Sequence, residues 1–104
     1  MKTSELTGYI LDRAVMQCEG LSKWLHGRIK YSSDWSEAGP IIEREKISVS
    51  PRYDDANIWS ASIFEKEWGF TLMGDTPLIA AMRCYVASKL GDEIDVPVEW
   101  MEGK

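Results

Sequence analysis

The chain has 104 residues, 44% of them hydrophobic and 28% charged, with a formal net charge of −5. That length suits one domain with a modest core and excludes a multidomain enzyme, and five Trp, four Tyr and two Phe supply the bulky groups that disordered chains lack. Residues 92–104 set five acids (Asp92, Glu93, Asp95, Glu99, Glu102) against Lys104, so this tail alone carries −4. Proteins that grip nucleic-acid phosphates present a concentrated basic face. The local counterpart here is the acid-free stretch 20–33 with Lys23, His26, Arg28 and Lys30, which reads as an ordinary solvated segment. No direct nucleic-acid binding is expected. Cys18 and Cys84 are too few and too far apart for a disulfide scaffold or zinc knuckle, and no apolar run reaches the ~20 residues that span a bilayer. A cytoplasmic protein with free thiols, away from membranes, is the expectation.

Along the chain, Leu11, Ala14, Val15 and Cys18 fall at helical spacing, which predicts a helix over 7–19 capped by Thr7 and ended by Gly20. A short strand is expected over 28–31. Residues 32–40 are dense in turn formers and read as a loop carrying Asp34, Trp35 and a rigid Gly39-Pro40 turn. Ile47 and Val49 alternate with polar neighbours, predicting a strand over 41–50 with a bulge or bend near Glu43. Two more strands follow over 58–64 and 68–72, marked by Trp59, Ala61 and Ile63 and then by Trp68, Phe70 and Leu72. Thr76, Pro77 and Gly91 bracket a helix over 77–90 whose apolar stripe is Ile79, Met82, Val86 and Leu90. Beyond it Ile94, Val96, Val98 and Trp100 alternate with acids, but Pro97 demotes the tail to an edge strand or extended arm. The expected fold is α+β: one domain, 1–104, with an antiparallel meander of about four strands packed against the helices 7–19 and 77–90 and an extended acidic tail 92–104.

The chemistry-bearing residues are sparse. His26 is the sole histidine, the two cysteines sit on helix faces, and no phosphate-binding glycine loop exists, since no two glycines lie closer than five residues apart. Glu43 with Glu45, on one face of a strand, and Asp54 with Asp55 read as solubilising pairs. No catalytic residue, metal ligand or cofactor is expected. The candidate recognition surface is the segment Asp34, Trp35, Gly39, Pro40 and Arg44, where an indole beside an acceptor suits a planar ligand or a partner's hot spot. The competing reading folds Trp35 back over the core edge. Trp59 adds a second stacking surface, and Arg44 or Arg83 a cation for phosphate.

The runs Lys2-Thr3-Ser4-Glu5-Leu6-Thr7-Gly8, Leu11-Asp12-Arg13-Ala14-Val15 with Cys18-Glu19-Gly20, Tyr31-Ser32-Ser33-Asp34-Trp35, Gly39-Pro40-Ile41-Ile42-Glu43-Arg44-Glu45 and, above all, the segment from Thr76-Pro77-Leu78 to Leu90-Gly91-Asp92-Glu93 resemble the NinX family of small proteins from lambdoid phages and prophages. Ala38 departs from the family pattern, which has glycine before Gly39-Pro40. The resemblance implies a phage or prophage setting and an accessory role, with no assigned reaction and no site to carry over. The leading expectation is a non-enzymatic protein that binds a host protein or a small ligand. One alternative sequesters a nucleotide-like host-defence signal; another is an acidic decoy of a host nucleic-acid-binding protein. The alternating tail also suits pairing with a second copy in a homodimer.

Overall fold

The computed structural model describes residues 1–21, 28–55, 57–65 and 68–102, with the side chains of Glu65, Trp68, Phe70 and Glu102 excepted. After a 3₁₀ turn, Thr3–Glu5, the elements are α1 (Gly8–Cys18), α2 (Trp35–Glu45), β1 (Ser48–Pro51), β2 (Trp59–Glu65), β3 (Trp68–Gly74), α3 (Pro77–Leu90) and α4 (Val98–Glu102). The α+β class and the antiparallel meander hold. The sheet has three strands in the order β1-β2-β3, where about four were expected.

Residues 35–45, expected as the end of a loop and the start of the strand over 41–50, are helical, and only the end of that strand survives as β1. Asp34 caps α2 by accepting the Ser36 N–H at 2.9 Å, and Ala38, Ile41, Ile42 and Glu45 then fall on one face, of which Ala38 and Ile41 are buried. Gly39-Pro40, read as a turn, lies inside this helix. The proline ring forfeits one ladder bond, to Ser36 C=O, but both residues are exposed, so water can take that carbonyl. Lys46 ends α2 in the left-handed region at φ 55°, with the Lys46 and Ile47 N–H groups donating back to Glu43 and Ile42. The bulge foreseen at Glu43 is therefore absent. Glu43 and Glu45 point to different sides of a helix rather than along one strand face.

The strand expected over 28–31 is replaced by a turn, because the Ser33 and Asp34 N–H groups both donate to the Lys30 carbonyl. Lys23 and His26 lie outside the described residues. In β2, Ala61 and Ile63 are buried and Trp59 half-buried, as the alternation predicts. The register pairs Trp59 with Gly74 and Glu65 with Trp68, so the two tryptophan positions sit at opposite ends of the hairpin and not across from each other.

Helix α3 is the centre of the molecule. It packs on all three strands and also against α1 and α2, so it is apolar on nearly every side rather than along a single stripe. Its small residues let the sheet come close: a Cβ on Gly74 would meet the Ala80 nitrogen at 2.6 Å. Thr76 caps it by accepting the Ile79 N–H at 3.1 Å, and Gly91 follows at φ 89°.

The tail is neither an arm nor an edge strand. Thr3 N–H donates to the Asp92 carbonyl at 2.7 Å, Ile94 N–H to the Met1 carbonyl at 3.0 Å, and Lys2 and Glu93 form an isolated bridge. Past Pro97 the chain turns into α4, which packs on α1 and buries Trp100, with the buried Arg13 guanidinium 5.8 Å from its ring.

Candidate functional site

Of the seven residues singled out in the sequence, six are taken up by structure. Arg44 grips Glu19 with two nitrogens at 2.7 and 3.2 Å, reaches Glu45 at 2.9 Å and the Tyr85 hydroxyl at 3.1 Å, and so ties α2 to α1 and α3. The Tyr85 hydroxyl donates a short hydrogen bond to Glu19, and Lys89 pairs with Glu45 at 3.3 Å. The Arg44 guanidinium holds both carboxyls below the ordinary glutamate range, whereas burial, reinforced by Glu19, raises the Tyr85 phenol. Arg83 donates to the carbonyls of Leu6 and Met73, each at 2.8 Å, which staples α3 to the N-terminal segment and β3. Asp34 serves as a cap, and the Ser36 hydroxyl and backbone N–H hold its carboxyl low. Gly39 and Pro40 are helix residues, and Trp59 packs against the core. Burial pushes the Cys18 and Cys84 thiols up to about 11, so neither is a thiolate at neutral pH.

Trp35 remains, and it does not fold back over the core: 57% of it is exposed. Its indole lines a groove of about 520 Å³ together with Gly8, Arg28, Ser32, Ser33 and the segment Thr76 to Ile79. Gly8, Trp35 and Pro77 are the first residues of α1, α2 and α3, so three helices open on one groove, each with the positive end of its dipole nearest. Arg28 is the one charged residue of that lining, on a chain with 17 acids against 12 bases. Its guanidinium lies 5.2 Å from the Tyr9 ring centre and 3.4 Å from Asp12, whose other oxygen accepts the Ser32 N–H at 2.8 Å. Asp12 itself is buried in α1. One carboxylate thus fixes both the cation and the turn that leads to Trp35.

Arg44 and Arg83, the cations named from the sequence, are engaged by Glu19 and by carbonyls, and the cation that shares the groove with Trp35 is Arg28, which the sequence places in a solvated segment. The signal that would have placed it was the buried side of α1: Asp12, amid Leu11, Ala14 and Val15, needs a partner in the fold.

A second cavity, about 330 Å³, lies among Lys2, Thr3, Ser4, Leu72, Ala87, Asp92 and Glu93; there Glu93 bridges Lys2, and the Asp92 carbonyl accepts the Thr3 N–H. Among the described residues no group of three His, Cys, Asp or Glu could hold a metal ion, and no helix is long and apolar enough to cross a membrane.

A three-stranded meander wrapped on a central helix, with three helix starts opening on a single groove, defines a small α+β protein. The chain belongs to the phage NinX family: the family described as Bacteriophage P22, NinX matches residues 2–89, which take in the whole groove. No curated protein sequence matches the chain.

Proposed function

We propose that this NinX-family protein is a non-enzymatic phage or prophage accessory factor that acts by binding, and that the groove beneath Trp35 is its recognition surface. The observation that carries the reading is the exposed indole beside a fixed guanidinium, at a place where most large side chains of so small a protein are drawn into the core. Exposed Trp and Arg are the residue types that dominate binding energy at recognition sites. Host protein and small ligand both stand as occupants under this reading.

Native mass spectrometry of the wild-type chain and Trp35→Ala, both purified from bacterial cells, tests it. A small-molecule adduct or a co-purified protein held by the wild type and lost by the variant supports the groove. Identical spectra from both proteins, with or without a bound species, remove it as the recognition surface.

A further inference from the structure

If the groove is the recognition surface, its lining also selects a chemistry. We propose that it takes a nucleoside monophosphate, with the base stacked on the Trp35 indole and the phosphate held by Arg28 beside the opening turn of α1.

Charge selects the anion. The lining contains a guanidinium and no carboxylate, although acids outnumber bases in the chain; α1 and α3 place no acid in their first turns, whereas α2, at the indole, carries the Asp34 cap and Glu37, which puts the anion at the α1 end. Thr7 precedes α1 without capping it through its side chain, so among the described residues that helix start, with Gly8 on the groove, presents N–H groups to an external acceptor.

Arg28 is prepared for the same task. Among the described residues only one of its nitrogens is engaged by a carboxylate, and the guanidinium carries five donors in a flat fork. The Asp12 carboxylate and the Tyr9 ring set the fork's position in advance, which lowers the ordering cost of closing on a phosphate.

The aromatic wall selects a ring. Base stacking on an aromatic side chain tolerates any base, because every base has a π-face. Pro77, Leu78 and Ile79 add an apolar wall, and the groove's 520 Å³ falls within the roughly 300–1,000 Å³ usual for small-ligand sites. A bare phosphate would leave Trp35 and this wall unused; a nucleoside without phosphate would leave Arg28 unused.

Calorimetric titration of the full chain with adenosine 5′-monophosphate, its guanosine, cytidine and uridine counterparts, adenosine and inorganic phosphate tests the assignment. The expected result is binding of at least one monophosphate, at least tenfold tighter than adenosine or phosphate alone. Trp35→Ala and Arg28→Gln should each weaken it tenfold or more. Because Arg28→Gln leaves Asp12 without its cation, Arg28→Lys is run alongside with circular dichroism: it keeps the charge and the fold but loses the fork, and it should also bind less well. Absence of heat from every monophosphate at millimolar concentration with folded protein overturns the nucleotide assignment. The groove itself still stands in that case if Trp35→Ala loses the species retained by the wild type in native mass spectrometry. Monophosphate binding that all three variants leave unchanged overturns both.

Discussion

Asp12, buried in the middle of α1, lies 3.4 Å from the half-exposed Arg28 guanidinium and accepts the Ser32 N–H at 2.8 Å, so a single carboxylate joins a core helix to the rim of the groove. A carboxylate in that position is tolerated only because both of its oxygens are met. Hydrogen bonds to charged groups contribute about 1.5–3 kcal/mol, so Asp12→Ala should cost about 2 kcal/mol and loosen the turn before Trp35. Urea denaturation measures the first effect. Amide exchange at Ser32 reads the second, and unchanged protection there would show that the carboxylate does not hold the turn.

The Glu19–Arg44–Glu45 cluster makes stability depend on acid. Both carboxyls titrate below their ordinary value of 4.5 in the folded protein, with the Arg44 hydrogen bond as the largest cause. A lowered folded value means that the unfolded chain binds protons first as the pH drops. The contribution is complete above about 4.5, and it is lost as the pH falls through the folded values beneath it. Arg44→Met removes the cause, so between pH 7 and pH 3 its urea midpoint should fall less than that of the wild type. Equal falls would mean that the pairs, which are partly open to water, are screened to insignificance.

The parts of the fold readable from the sequence are those where local chemistry and tertiary burial agree. Thr76, Pro77 and Gly91 bracket α3 because capping is settled within a few residues, and the β2–β3 hairpin follows from alternation at Trp59, Ala61 and Ile63. Residues 34–45 mislead because Gly39-Pro40 is a strong local breaker, while the helical signal is spread over the Asp34 cap and the Ala38, Ile41, Ile42, Glu45 face. There burial against the rest of the fold outweighs propensity. For the groove, Trp35 is visible as an unusual loop aromatic. Its partners Gly8, Arg28 and Thr76–Ile79 come from distant parts of the chain and meet only once three helix starts are brought together.

Lys46 closes α2 in the left-handed region, where a Cβ crowds the backbone. The side chain is exposed and makes none of the closing hydrogen bonds, which come from the Lys46 and Ile47 backbone N–H groups. Glycine relieves the strain but gives the unfolded chain more freedom, so Lys46→Gly should stabilise by about 0.5 kcal/mol net. Thermal unfolding checks the sign. A lower midpoint would mean that the lysine charge near the carbonyl end of α2 outweighs the strain.

Gly39 and Pro40 are two poor helix formers in the middle of a helix, and both are open to substitution. A Cβ on Gly39 meets nothing within 4 Å, and its backbone is not left-handed, so Gly39→Ala should stabilise by roughly 0.5–1 kcal/mol. Pro40→Ala restores an N–H to the ladder opposite Ser36, at the expense of a more flexible unfolded chain, and should gain about 1 kcal/mol or more. The two changes alter no groove residue, since the lining on α2 is confined to Trp35. Their sum therefore separates fold from function: a doubly substituted chain with a higher urea midpoint and unchanged ligand retention would show that the Gly-Pro pair is a tolerated weakness of α2. A gain in stability accompanied by lost retention would show instead that binding requires α2 to loosen at its centre and let Trp35 move.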